Sequence, residues 1–556
     1  MNRDTPKLVG WSGCALLLLA PLPWTTATLS YAHPKESLIL LLGAVCWAAW
    51  AWRGMGDGQA RMAWGLGVAL APVCAWLAFA GAAGSTALGV ALAALAIAPL
   101  AIDTVWRARL EVAFIAGTVL VALLALGQFL GLLNSLFPVY AHYDQRAYSV
   151  FGNQDLLGGY MAVALVVLWG RGATWPNLAT ILLQLPLLAA LGVSGCRSAW
   201  VAAVMGLLFV AWGGRAQWRR YVGMAGTLAV SSFLLLLVAW DSTGARLVRL
   251  FSGADTGASV RLWIWDAALR MFGDHPLWGV GPGAFARQSP EYMGQALAEA
   301  GEGAYAYNEA WAMHPHSEPL NVLAEGGLLG VGVVMLSGAL LVWIRTPTSR
   351  PLTPPVADKP TPLHFSGGEG TRGIALAPLC TMGAFALVND AWHSAPHALV
   401  TLWLVACTLP CEANTARRVL LPRVLTCAAA ALLCLHAYAV LWPSVLLTRA
   451  EDKAMAGGDA VAEYTRVASH DYTRGEAMLG LATYHIEHEA WPEALACATS
   501  AAETIDTSQV HWLMGLSAAR LHQDDLARES LGRCLYRAPK NAAALQLLSE
   551  LSDKEK

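Results

Sequence analysis

Residues 314–330 read His-Pro-His-Ser-Glu-Pro-Leu-Asn-Val-Leu-Ala-Glu-Gly-Gly-Leu-Leu-Gly, a polar segment that runs directly into an apolar helix. Ser317 suits an N-cap, Pro319 suits a first helical turn, and the apolar run begins at Leu320. Glu318, Asn321 and Glu325 then fall three, four and seven residues apart and share one helix face. Carboxylates and an amide at the edge of a bilayer are costly, so their default reading is functional. His316 sits just before the helix start, where the positive end of the dipole disfavours an imidazolium; a neutral imidazole there can accept a proton.

Composition supplies the setting. The 556 residues are 56% hydrophobic and 13% charged, with mean hydropathy +0.48, whereas a soluble protein carries about 25% charged residues. Many of the 24 tryptophans stand beside polar flanks, as interfacial anchors do. The expected fold class is all-α: a polytopic helical membrane protein followed by an α-helical repeat domain. The net charge of −2, with basic residues clustered in short loops, gives no footprint for nucleic acid. Most of the 11 cysteines lie in apolar stretches without CxxC or His-Cys spacing and read as packing residues. Cys497 and Cys534, in the C-terminal part, are left open as to pairing.

Apolar stretches that can cross about 30 Å of hydrocarbon fall near residues 9–29, 37–52, 62–81, 86–105, 110–133, 159–170, 176–194, 199–214, 221–240, 320–344, 374–388, 396–412 and 419–442. The expectation is thus about 12–13 spans. Arg3 and Lys7, Arg53 and Arg61, Arg107 and Arg109, Arg171, Arg215 with Arg219 and Arg220, Arg345 with Arg350, and Arg417 with Arg418 occupy alternate loops. Positive-inside places those loops in the cytoplasm and the long segments near 134–158 and 241–319 outside. An odd number of spans puts everything after about residue 445 outside as well.

The expected domains are a membrane unit, residues 1–444, and a helical tail, residues 445–556. Within the outer loop 241–319, Ser259 to Phe272 reads as an amphipathic helix with Asp266 four residues before Arg270. The glycines and prolines of Asp274 to Phe285 force turns, and 346–372 reads as a Pro-, Thr- and Gly-rich linker. In the tail, Ala482, Ala494 and Ala501 recur 33 residues later as Gly515, Ala527 and Cys534. A period near 34 with small residues between paired helices resembles tetratricopeptide repeats; a plain helical hairpin bundle is the alternative.

Three readings of the opening stretch compete. His314, His316 and Glu318 could converge on a metal ion, although Ser317–Pro319 favours a turn into helix and no further chelating cluster is evident. The polar groups could satisfy one another structurally. Or His316 is a general base acting at the outer membrane face. Three outward arginines, Arg146, Arg197 and Arg261, bear on the choice, because the planar guanidinium makes bidentate, charge-assisted contacts to phosphate. Arginines at one depth beside a neutral histidine suit a lipid diphosphate at the membrane surface.

His316-Ser317, nine residues, Gly327, two residues and Gly330 resembles the signature of the bacterial O-antigen ligase and polymerase superfamily. Phe151 to Gln154, Ser194 to Trp200, Arg261 to Trp265 and His275 to Gly281 follow in the family's order. The resemblance covers roughly residues 100–345. It implies a metal-independent, inverting glycosyltransferase without cofactor, which transfers a polyprenyl-diphosphate-linked glycan at the periplasmic face of the bacterial inner membrane. Carried over by position, His316 deprotonates the acceptor, Arg197 and Arg261 bind the departing diphosphate, and Glu325 orients a partner. The implied acceptor is lipid A core (a ligase), a growing glycan (a polymerase) or a protein hydroxyl (an O-oligosaccharyltransferase), with a protein partner for the repeat tail. A lipid-linked sugar transporter, the reading from another class, predicts charges deep in several spans and an internal membrane repeat; neither is evident in the sequence.

Overall fold

The computed structural model describes residues 5–28, 30–55, 57–136, 146–171, 177–213, 256–300, 309–345, 369–409 and 423–553. No strand occurs among the described residues. The membrane unit comprises α1 (Thr5–Leu19), α2 (His33–Arg53), α3 (Asp57–Leu77), α4 (Gly81–Ile97), α5 (Thr104–Phe129), α6 (Gln154–Arg171), α7 (Asn177–Ser194) and α8 (Arg197–Gly213). After them come α9 (Thr256–Asp274), α10 (Phe285–Ala300), α11 (Glu318–Arg345), α12 (Glu369–Ala386), α13 (Ala395–Thr408) and α14 (Arg423–Met455). Among the described residues, six helices are long and apolar enough to cross a bilayer and five shorter apolar ones accompany them. The protein is a multi-pass helical membrane protein. The expected span 221–240 and most of the linker 346–372 lie outside the described residues.

Helix α6 is the centre of the bundle. It is buried on all sides from Leu157 to Arg171, as expected of a helix that is apolar around its whole circumference. Gly158 and Gly159 permit this: a Cβ on them would meet Cys196 Cβ at 2.6 Å and Phe385 Cε1 at 2.4 Å. Small residues thus bring α6 against the start of α8 and the end of α12. Two of the span boundaries that differ from the sequence reading are set by proline. Helix α1 stops at Leu19 rather than continuing to 29, because Pro21 and Pro23 remove the donors a further turn needs. Helix α4 ends at Ile97 in a 3₁₀ turn, Ala98–Ile102, after which Asp103 caps α5 by accepting from Val105 N at 2.9 Å.

The two ends of the bundle are chemically distinct. Arg107 and Arg171 share the carboxylate of Glu111, and Arg109 lies over the Trp106 ring, 4.6 Å from its centroid. Arg107 and Arg109 lie in the first turns of α5 and Arg171 closes α6, at the end of the bundle that the charge pattern marks as basic. At the opposite end stand His33, the Asn153 cap of α6, Cys196 and the start of α11.

The tail begins inside a helix. Helix α14 runs unbroken to Met455 across the expected boundary at 444–445 and leads into α15 (Val461–Ala468), α16 (Arg474–Glu487), α17 (Trp491–Ala502), α18 (Ser508–Arg520), α19 (Asp524–Arg537) and α20 (Ala542–Asp553). The repeated small residues Ala482, Ala494, Ala501, Ala527 and Cys534 are fully buried, and a Cβ on Gly515 would meet Leu531 Cγ at 2.8 Å. Cys497 and Cys534 are both free thiols. The tail packs on the end of the bundle that carries His33: Tyr472 Oη donates to Glu36 Oε2 at 3.0 Å, and the His33 and Tyr472 rings meet edge-on at 5.0 Å.

Candidate active site at the outer helix mouth

Helix α11 starts at Glu318, and the Ser317 carbonyl accepts from Asn321 N at 2.9 Å. Glu318, Asn321 and Glu325 are all buried, as their shared face requires. The helix is not continuous: Gly327 has φ 56° and ψ −151°, a conformation essentially restricted to glycine. The loop 275–281 docks into this break. Leu328 N donates to Pro276 O at 2.8 Å, Leu329 N to Leu277 O at 3.0 Å, and Val280 N to Ala324 O at 2.8 Å. The turns expected of this Gly- and Pro-rich segment occur, with positive φ at Gly279, Gly281 and Gly283.

Glu325 belongs to this junction. Its Oε1 accepts from Phe285 N at 3.1 Å and its Oε2 faces Asn321 Nδ2 at 3.5 Å. The carboxylate therefore ties the first half of α11 to the N-terminus of α10.

His316 faces elsewhere. It has φ 50°, and its side chain is 38% exposed, within reach of a substrate. Its Nδ1 lies 2.6 Å from Oδ2 of Asp390, in the turn between α12 and α13. With Nδ1–H donating to the carboxylate, Nε2 carries the lone pair. Sequence reasoning invoked the helix dipole for a neutral His316 and named no tautomer; the structure adds a carboxylate that fixes one. The neighbouring His393 has Nδ1 3.4 Å from Glu318 Oε1, and Trp392 N donates to the same oxygen at 2.6 Å. The His314 and His393 rings meet at a tilt of 35° with centroids 3.8 Å apart.

The charges in this cluster separate. Burial pushes the Asp390 carboxyl up, but the His316 hydrogen bond and the three histidines outweigh it and hold it below the usual carboxylate range. Burial opposes charge on His393, yet Glu318, Asp390 and Glu325 overcome it and raise the imidazole to about 9. His314, desolvated and beside the charged His393, is lowered to about 3. Among the described residues, no group of three or more His, Cys, Asp or Glu side chains is arranged to hold a metal ion. Of His314, His316 and Glu318, the set considered for a metal, His316 contacts Asp390, whereas His314 and Glu318 both contact His393.

The arginines gather at Asp155, in the first turn of α6. Arg261 Nη2 lies 2.6 Å from Asp155 Oδ2, and Arg146 Nη1 lies 4.0 Å from Oδ1. Arg197 opens α8 directly after Cys196, whose buried thiol is pushed up by desolvation and further by Asp155. Asn389, which precedes the Asp390 partner of His316, donates from Nδ2 to Oγ of Ser198, the residue after Arg197, at 2.7 Å. The structure thus brings Arg146 and Arg261 together at Asp155 and sets Cys196, the residue before Arg197, near the same carboxylate.

Asp155, Asn389, Asp390 and His393 were missed by sequence reasoning. The only available signal was the polar run Asn389 to Ser394 between two short apolar stretches, on the side that the charge pattern assigns to His316.

Residues 181–335 match the family model described as O-antigen ligase. This segment is an O-antigen ligase family domain. The match supports kinship of this segment with the O-antigen ligase and polymerase superfamily and a ligase- or polymerase-type function. The O-antigen ligase domain contains Arg197, Arg261, His316 and Glu325, whereas Arg146, Asp155, Asp390 and His393 flank it. It is narrower than the stretch 100–345 over which the motifs run and leaves out Phe151 to Gln154. No curated protein matches the chain.

Proposed function

We propose that the protein is an inverting, metal-independent glycosyltransferase that moves a polyprenyl-diphosphate-linked glycan onto an acceptor hydroxyl at the periplasmic face of the inner membrane, most closely an O-antigen ligase. The observation that carries this reading is the 2.6 Å contact of His316 with Asp390, beside the arginines at Asp155. In this scheme His316 Nε2 removes the proton from the acceptor hydroxyl. The resulting oxygen nucleophile attacks the anomeric carbon from the face opposite the diphosphate, and the bond from that carbon to the diphosphate oxygen breaks with inversion. Asp390 stabilises the imidazolium as it forms. Arg197, Arg261 and Arg146 neutralise the diphosphate, and Asp155 holds two of their forks in place beforehand. Asp390 Oδ1, Asn321 Oδ1 and Asn389 Oδ1 are buried acceptors without a partner among the described residues.

A glycan polymerase or a protein O-oligosaccharyltransferase shares this donor chemistry and differs in the acceptor. The test is transfer from an undecaprenyl-diphosphate oligosaccharide to lipid A core by purified protein. His316→Ala should lower the rate by about 10²–10⁴-fold at unchanged membrane expression. Transfer at the wild-type rate by that variant rules His316 out as the base. Labelled glycan appearing on glycan or protein, and never on lipid A core, selects one of the other acceptors.

A further inference from the structure

His316 stands at the end of a strap, residues 309–316, that is fastened at several points. Trp265 Nε1 donates to Pro315 O at 2.9 Å, and Ser289 Oγ both donates to Ala312 O (2.8 Å) and accepts from Ala312 N (3.0 Å). These two anchors come from α9 and α10, within the outer loop. The third comes from the tail: Ala310 N donates to Arg537 O at 2.7 Å, and Ser508 Oγ donates to Glu309 Oε1. Arg537 is itself buried, 4% exposed, with Nη2 2.6 Å from Asp506 Oδ2 and 3.6 Å from Glu291 Oε2 of α10. Asp506 is held in turn by His511 Nε2 at 2.6 Å. Tyr536 lies so close to α10 that a Cβ on Gly294 would meet its Cε1 at 2.5 Å.

A left-handed backbone at a histidine persists only where the surroundings over-determine it. The strap is short, so displacement of its tail anchor is transmitted to His316 rather than absorbed. We infer that Arg537, with the last turn of α19, is a positioning residue for His316: the tail holds the strap in the register that keeps the imidazole on Asp390. The inference rests on the reading of His316 as the base. It gives the tail a task inside the reaction, in addition to any surface it offers a partner.

The test uses the full chain in nanodiscs, with an undecaprenyl-diphosphate oligosaccharide as donor and lipid A core as acceptor. Arg537→Met keeps bulk and the carbonyl that accepts from Ala310, and removes the guanidinium that ties this turn to Asp506 and Glu291. It should lower kcat by about 10²-fold, the scale of a misplaced catalytic group, while the donor KM stays within about twofold because the arginines at Asp155 are untouched. Arg537→Lys should recover part of the loss. Hydrogen exchange at the Ala310 and Ala312 amides should quicken in Arg537→Met and slow again in Arg537→Lys. Faster exchange in the strap with kcat unchanged overturns the inference, as does a donor KM that rises with kcat intact. If Arg537→Met also unfolds α18 and α19, Ser508→Ala decides: a several-fold lower kcat supports positioning, and an unchanged kcat with a loosened strap refutes it. Full activity of His316→Ala would sink the base reading instead, and the exchange data would still report whether the tail holds the strap.

Discussion

At the residue scale, the site is a pair of histidine–carboxylate contacts with separate roles. His316 with Asp390 has the geometry of a base and its orienting carboxylate. Asp390→Asn preserves shape while losing the charge and the fixed tautomer, so it should lower kcat by about 10²-fold or more with little change in donor KM. Rates at saturating donor check this, and a full rate in the variant would separate Asp390 from the chemistry. His393 with Glu318 is a charged contact. Because the imidazole is raised from its ordinary 6.5 to about 9, its stabilising contribution is complete below pH 6.5 and is lost as pH rises through about 9. The melting temperature in detergent should therefore fall over that window in the wild type, and the fall should shrink in His393→Gln. His316 and the three arginines were legible in the sequence because each sits in a local pattern: a helix start, or a cation on the side where basic residues are scarce. Asp390, His393 and Asp155 have no such local signature. Their meaning arises only when the α12–α13 turn and the start of α6 meet α11 and α9 in space.

At the element scale, helix periodicity found the elements and missed a break. Apolar residues continue on both sides of Gly327, so residues 320–344 read as one uninterrupted helix, whereas the structure interrupts it to admit the loop 275–281. The two glycines of the resemblance divide the labour: Gly327 makes the break, and Gly330 lies in the continuing helix near Trp76. A Cβ at Gly327 would meet Gly279 N and the Leu277 carbonyl at 2.7 Å, and φ 56° with ψ −151° is closed to alanine at a cost of about 1–3 kcal/mol. Gly327→Ala should release the loop 275–281, lower the melting temperature and reduce transfer, whereas Gly332→Ala, where a Cβ meets nothing within 4 Å, should leave both unchanged. Equal behaviour of the two variants would show that the break is dispensable. Proline explains the other departures: it stops α1 before residue 29 and turns α4 into a 3₁₀ segment. Those signals were visible in the sequence but outweighed by long apolar runs.

At the scale of the whole molecule, two independent lines converge on one face. The alternation of basic loops puts 30–36, 195–198, 314–319 and 389–395 on the side opposite Arg107 and Arg171. The contacts join the same segments at one end of the bundle: His316 to Asp390, Asn389 to Ser198, and Tyr472 of the tail to Glu36. The tail's side was legible only through the parity of the span count, which a single misjudged short helix would reverse. Its packing against α2, α10 and the strap ties it to the His316 face without counting spans. A membrane-impermeant thiol reagent can test whether this face is periplasmic. Glu503→Cys lies exposed in the tail, and Thr104→Cys lies exposed at the start of α5, at the opposite end. In intact spheroplasts, Glu503→Cys should label above the background of the unmodified chain, and Thr104→Cys should label only after permeabilisation. The reverse pattern would put His316 and the arginines in the cytoplasm, away from a donor presented at the outer leaflet, and would overturn the proposed reaction. Labelling of both positions in intact spheroplasts would contradict the helix order itself, because α5 separates residue 104 from the His316 face by 26 residues of helix, about one membrane thickness at 1.5 Å per residue.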